Sequence, residues 1–219
     1  MPDKIHEYAS AKITVHYNVT RCIHAAECVH GLPAVFNPNE RRWVQPEGAS
    51  AEDVAAVVMR CPTGALHFER KDGGANESLP SANVIRATPN GPLYVRGNIH
   101  LAATEGGVFA QDTRMALCRC GASRNKPFCD NSHLEILFQE AATWTHEVAA
   151  GHESIAASQS LSITPLRNAS LKLEGAMEIH NAKGEEIFRG NEASLCRCGA
   201  SRNKPFCDGS HSRIGFSAS

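Results

Sequence analysis

Apolar positions along this chain come in short alternating runs, and one stretch carries a helical period. Ile13-Thr14-Val15-His16-Tyr17 alternates as a half-buried strand does. Ser50 with Asp53 three positions on resembles a capping box. It opens a helix with Val54, Val57 and Val58 on one face, ending near Cys61-Pro62. Leu66-His67-Phe68 reads as a closing strand, and Ala34-Val35-Phe36 with Trp43-Val44 as a small hairpin. Together these predict a compact α+β unit over residues 1–70. The polar, glycine-bearing run Glu69–Ser78 then reads as a linker.

Beyond it the pattern repeats. Pro92–Val95 and Asn98–Leu101 read as short strands, Gly106-Gly107 as a turn, and Val108-Phe109 as the start of a returning strand. Leu171–Leu173, Met177–Ile179, Asn181–Gly184 and Ile187-Phe188 repeat that order. Leu117–His133 and Leu195–His211 are identical at sixteen of seventeen positions, 78 residues apart, and the same offset relates Leu93 to Leu171 and Gly97 to Gly175. The duplicated unit therefore begins near 84 and again near 162, giving domains at 82–145 and 160–219. Two copies are too few for a solenoid. A tandem pair packed about an approximate two-fold axis is expected.

Composition narrows the function classes. A formal net charge of -1 argues against a nucleic-acid binder and against a polybasic membrane-surface protein. The longest apolar run, Val54–Met59, is far short of a membrane helix, and the first residues carry no signal-like apolar stretch. A cytoplasmic monomer is expected. No phosphate loop, dinucleotide fingerprint or nucleophile elbow is present, so a non-enzymatic role is expected.

Cysteine carries the chemistry. The nine cysteines fall into three groups of three, an odd total that suits metal sites better than disulfides. Each repeat spaces its donors Cys-x-Cys-x8-Cys-x3-His: Cys118, Cys120, Cys129, His133, and Cys196, Cys198, Cys207, His211. Three soft thiolates and an imidazole suit an iron–sulfur cluster or zinc, although Cys-x-Cys departs from the usual zinc spacings. Asp130 and Asp208 are candidate caps for a turn carrying the last two donors. Ser123 and Ser201, with loop amides, are candidate hydrogen-bond donors to sulfur, and Arg119 and Arg197 candidate counter-charges.

These segments resemble the CDGSH iron–sulfur domain of NEET-type proteins; Cys207-Asp208-Gly209-Ser210-His211 spells the motif, and Asn131 replaces its glycine in the first copy. The resemblance covers about 130 residues. It implies a 2Fe–2S cluster in each copy held by three Cys and one His. It also implies a strand-rich cap and, with two motifs in one chain, an intrachain pseudo-dimer.

In the first unit, Cys22 and Cys28 enclose five residues, and Cys61 precedes Pro62. Cys22–Cys28, Gly31–Phe36 and Cys61–Leu66 resemble the divergent mono-cluster 4Fe–4S ferredoxin family over about 55 residues. This implies a small ferredoxin-like domain with a cluster on Cys22, Cys28 and Cys61. Ala25 stands where a further cysteine would fall, which leaves open a 3Fe–4S cluster or a 4Fe–4S cluster completed by His24 or solvent. The function expected is electron transfer with a reductase or client enzyme. The alternatives are cluster donation to an apo iron–sulfur acceptor, redox or iron sensing, and a zinc-bound interaction module.

Overall fold

The computed structural model describes residues 4–145 and 159–218, which divide into two compact units between Ser78 and Leu79. The protein is mixed α/β and rich in strands.

In the first unit β1 (Ile5–Ala9), β2 (Ile13–Asn18) and β3 (Leu66–Arg70) form an antiparallel sheet in that order. The sequence pattern missed β1, whose residues are almost all exposed; it is held by its register on β2, from Ile5 opposite Asn18 to Ala9 opposite Thr14. The short α1 (Glu27–Gly31) and α2 (Ala51–Val58) complete the unit. The Ser50 hydroxyl accepts the Asp53 amide at 3.1 Å and donates to its carboxylate at 2.6 Å, so the expected cap forms. Val54, Val57 and Val58 are buried with Ile13, Val15 and Leu66 of the sheet. Burial contributes roughly 1.5–3 kcal/mol per such side chain. The expected hairpin is a single antiparallel bridge, Phe36 to Val44, and it brings Trp43 edge-on to Tyr17 at 4.8 Å. The segment read as a linker folds back on β3. Arg70 N–H donates to Asn76 Oδ1 (2.7 Å), and Phe68 N–H to Glu77 Oε1 (3.2 Å).

Among the described residues the second unit holds six strands: β4 (Val84–Ala87), β5 (Leu93–Ala102), β6 (Val108–Leu117), β7 (Leu161–Pro165), β8 (Leu171–His180) and β9 (Glu186–Leu195). Each pair of short strands expected in a repeat is one ten-residue strand. A register shift between Arg96 and Ile99, and again between Glu174 and Met177, breaks the alternation without ending the strand.

β5 pairs along one edge with β6. Its other edge is shared, first by antiparallel β4 and then by parallel β7. β8 does the same with β9, β7 and β4. Strands β4 and β7 thus each bridge both repeats and close the sheet into a barrel-like ring. The registers correspond at the sequence offset: Val84 faces Arg96 as Ser162 faces Glu174, and Val84 faces Glu178 as Ser162 faces His100. Ile85, Val95, Ile99 and Leu101 share one core with Ile163, Leu173 and Ile179.

Candidate metal centres

Each repeat presents its donors where the long hairpin ends. After Leu117 the chain leaves β6, turns through Gly121, and returns so that Phe128 bridges Leu117. Cys118 N–H then donates to Pro127 O and Cys129 N–H to Ala116 O, both at 2.9 Å, which sets the first and third cysteines side by side. The second repeat makes the same two bonds at 2.8 Å, Cys196 to Pro205 and Cys207 to Ser194. The turns α3 (Ser132–Glu135) and α4 (Ser210–Arg213) follow, each entered through a left-handed residue, Asn131 (φ 70) and Gly209 (φ 80). Asn131 adopts the glycine conformation, as its short polar side chain permits.

Asp130 and Asp208 lie one position outside the helix boundary, yet their carboxylates take the first helical amides, Ser132 at 3.0 Å and Ser210 at 2.9 Å. The Arg202 and Ser210 amides hold the Asp208 carboxyl well below the usual carboxylate range.

The donors fall into pairs. Cys118 and Cys120 sulfurs are 3.7 Å apart and Cys196 and Cys198 3.6 Å; Cys129 Sγ to His133 Nδ1 is 3.4 Å and Cys207 Sγ to His211 Nδ1 3.3 Å. Two thiolates on one tetrahedral metal at ~2.3 Å are ~3.7 Å apart, so each pair fits one metal. Among the described residues, no three of these donors lie within 4.8 Å of one another. The donor set therefore fits two adjacent metals better than a single ion. The Cys118 thiol is pulled down to about 6 by the hydrogen bond from Cys120, against burial, with help from the amides of Ser123, Gly121 and Cys120. His133 is held below its ordinary value by burial and then by Arg119.

One expectation about the surroundings is corrected, and one gains a structural role. The Ser123 and Ser201 hydroxyls do not reach sulfur: each donates to a loop carbonyl at 2.7 Å, Phe128 and Phe206. The loop amides do serve sulfur as expected, Ala122 to Cys120 and Asn131 to Cys129, both at 3.5 Å. Arg119 and Arg197 carry charge beside the thiols, Cys120 and Cys196 acting on Arg119 and Cys118 on Arg197, but neither is solvated. Both are buried, and they clamp the turn before the long strand of their own repeat. Arg119 donates to Gly91 O (2.7 Å) and Thr88 O (2.6 Å), and Arg197 to Ala169 O (2.9 Å) and Leu166 O (2.5 Å). Arg119 also pairs with Glu140 and stacks on Phe138 at 5.1 Å; Arg197 stacks on Phe216 at 5.5 Å. Each reaches the other repeat as well: Arg119 feels the Cys196 charge, and Arg197 that of Cys118.

In the first unit Cys22, Cys28 and Cys61 line one mainly apolar cavity of about 490 Å3. Cys22 follows a single 3-10 turn after β2, Cys28 sits in α1, and Cys61 follows α2. His24 (φ 55) and Ala26 (φ 63) take left-handed conformations that bend the loop around the cavity. His24 lines it but is exposed. Two neighbours escaped the sequence pattern. Tyr17 lines the cavity and hydrogen-bonds Cys22; its hydroxyl is pushed up chiefly by burial. Thr63 Oγ1 accepts the Ala65 amide (3.1 Å) and lies 3.5 Å from Cys61 Sγ. Burial and the Cys61 charge push the Cys28 thiol up to about 11. The three sulfurs are likewise not all within 4.8 Å of one another, so they do not close on one ion.

Elsewhere Glu178, His180 and Glu186 converge in the second unit, but Arg189 already bridges the two carboxylates. Among the described residues no helix is long and apolar enough to cross a membrane.

This architecture, thiol-rich sites on short loops, is that of an iron–sulfur binding protein. Residues 8–71 match the family described as a divergent 4Fe-4S mono-cluster, and residues 90–134 and 168–212 each match the iron-binding zinc finger of CDGSH type. The chain belongs to these families: one N-terminal mono-cluster domain followed by two CDGSH domains. Its first unit is similar to the uncharacterized protein YjdI of Escherichia coli K12, with 34% identity over 64 residues, 29% of this chain and 84% of that one. The same figures hold for YjdI of Escherichia coli O157:H7. No solved structure matches the chain.

Proposed function

We propose that this protein is a non-enzymatic electron carrier, with a 2Fe–2S cluster in each CDGSH repeat and a 3Fe–4S or 4Fe–4S cluster in the first unit. In each repeat the paired thiolates, Cys118 with Cys120 and Cys196 with Cys198, would hold one iron. Cys129 with His133, and Cys207 with His211, would hold the other. Cys22, Cys28 and Cys61 would hold the third cluster. The observation that carries this reading is the pairing itself: donor couples at one-metal spacing, with no third donor close enough to complete a mononuclear site. It supports a bridged cluster over the zinc-module alternative.

The clusters supply one-electron chemistry. The chain would position them, and it already donates amides to the Cys120 and Cys129 sulfurs that would hold them. The equivalent pairing registers support an intrachain pseudo-dimer, and the three-stranded sheet with two helices supports a small ferredoxin-like first domain. A reductase or client enzyme is the expected partner.

Anaerobic purification followed by absorbance, iron and acid-labile sulfide counts tests the reading. Coloured protein with sulfide matching iron is expected; colourless protein with stoichiometric zinc would overturn it. Cluster donation is the second reading. It is favoured by the half-buried Cys207 and His211, where Cys129 and His133 are buried. Transfer to an apo-acceptor separates the two.

A further inference from the structure

Two hydroxyls meet the thiols of the first unit. In the CDGSH repeats the Ser123 and Ser201 hydroxyls turn away from sulfur to loop carbonyls. Thr63 does the opposite. Its Oγ1 accepts the Ala65 amide at 3.1 Å and stands 3.5 Å from Cys61 Sγ, and the residue is 2% exposed. A hydroxyl carries one proton and two acceptor positions, so the amide takes one of the latter and leaves the proton for sulfur. Tyr17, on the wall of the same mainly apolar cavity, hydrogen-bonds Cys22.

The fold fixes both groups. Tyr17 on β2 lies opposite Leu66 on β3, and the next residue, Asn18, donates its N–H to Ala65 O at 2.8 Å. Ala65 in turn donates to Thr63, so the phenol and the threonine are built on the same end of the sheet. The Tyr17 ring stands edge-on to Trp43 at 4.8 Å, and Trp43 packs on Tyr8 and Phe36 as well, at 6.2 and 6.0 Å.

We propose that Tyr17 and Thr63 raise the reduction potential of the cluster held by Cys22, Cys28 and Cys61, each by giving a hydrogen bond to one ligand sulfur. The inference rests on the iron–sulfur reading of the first unit. A free thiol donates or accepts, but a sulfur bound to iron is a thiolate and only accepts, so both contacts become O–H to S bonds. Reduction adds one electron and breaks no bond, and part of the added negative charge falls on the ligand sulfurs. Hydrogen bonds to those sulfurs are stronger in the reduced form and therefore favour it. The low dielectric of a mainly apolar wall enlarges the effect.

The test is a redox titration of the full chain, purified without oxygen, with the first cluster followed by its paramagnetic resonance in whichever oxidation state carries spin. Iron and acid-labile sulfide are counted first. Amounts no higher than the two repeats account for would remove the cluster reading of the first unit, and this inference with it. With the cluster present, the ratio of reduced to oxidised first cluster at the parent's midpoint should fall about threefold in Tyr17→Phe and about threefold in Thr63→Val, a share of one hydrogen bond's worth. The two donors act on different sulfurs, so the double variant should show a fall of about tenfold. Thr63→Ser keeps the hydroxyl and should match the parent. The CDGSH clusters, titrated in the same samples, should keep their ratio. Parent ratios in both Y17F and T63V would overturn the proposal and leave the cluster reading in place. So would an equal fall in T63S and T63V, or a fall shared by the CDGSH clusters, since either marks loosened packing rather than a lost donor. Y17F keeps the ring on Trp43 and so decides the matter if T63V fails to hold iron.

Discussion

Gly121 packs its bare Cα against the carbonyl oxygen of Cys198: a Cβ added to Gly121 would lie 2.7 Å from that atom. The contact is reciprocal, since a Cβ on Gly199 would lie 2.8 Å from the Cys120 carbonyl. The two donor loops therefore touch across the repeat relationship, and each leaves its second cysteine against the other's glycine. Both glycines also have positive φ, 85° and 82°. Gly121→Ala combines a steric clash with a left-handed alanine, which alone costs ~1–2 kcal/mol. We expect a lower urea midpoint and iron loss from both repeats, not one. Double resonance or Mössbauer counting of the two sites checks this. Loss confined to the mutated repeat would show that the loops are independent.

Asn83 ties the ring together at the point where strands are exchanged. Its Nδ2 donates to Gln159 O (3.0 Å) and Ala176 O (2.8 Å), its Oδ1 accepts from Asn98 N–H (2.9 Å), and it is only 7% exposed. The corresponding residue of the second repeat is Leu161, so one side chain serves both bulges. Asn83→Ala should cost about 2–4 kcal/mol, because it strands several buried backbone groups. Equilibrium urea unfolding measures it, and a change below ~0.5 kcal/mol would mean that water replaces the amide fully.

What the sequence made legible follows from how locally each feature is determined. The cysteine and histidine spacings lie within seventeen residues, and the loop that carries them closes on itself through the Phe128 and Phe206 bridges. The Ser50 cap was legible for the same reason. Strands β4 and β7 were not, although the repeat offset placed the start of each unit near them. They have four and five residues, and their meaning comes from partners some ninety residues away, such as Glu178 for Val84. The clamping role of Arg119 and the acceptor of the Ser123 hydroxyl were not legible for the same reason. The acceptors that claim them, Thr88, Gly91 and Phe128, are set by tertiary structure rather than by adjacency to the cysteines. The segment that packs Trp144 on the barrel core has no sequence period at all.

The histidines predict acid lability. Burial and then the Arg119 charge depress the His133 imidazole from its ordinary 6.5. The unfolded chain therefore binds the proton first as pH falls below 6.5, and stability present above that value is lost toward the lower folded value. A metal on the neutral ring deepens the same dependence. Visible absorbance should bleach as pH is lowered below 6.5. Changing His133 and His211 together to Cys should slow bleaching and lower the reduction potential, since thiolate adds negative charge where imidazole adds none. A double variant matching the parent in both quantities would remove the histidines from the donor set.

The first unit offers three thiols around one cavity, and the fourth position decides its cluster. Ala25 has no donor atom. His24 lines the cavity but is exposed at a left-handed position, while Glu27, also on the wall, is engaged by Arg60 at 2.8 Å. Three cysteines satisfy three irons with no movement of the loop, whereas a fourth iron needs His24 to turn inward or solvent to bind. We therefore expect a 3Fe–4S centre. Oxidised 2Fe–2S and 4Fe–4S centres have no net spin, but an oxidised 3Fe–4S centre has one unpaired. A strictly anaerobic, oxidised sample should give a paramagnetic resonance that survives replacement of all six repeat cysteines and vanishes with Cys61→Ala. Strict anaerobiosis matters because air converts a labile four-iron cube to the three-iron form. A silent spectrum with four irons per first unit would assign a 4Fe–4S cluster instead. His24→Ala then separates the remaining ligands: loss of one iron and appearance of the resonance identify the imidazole, and an unchanged silent spectrum identifies solvent.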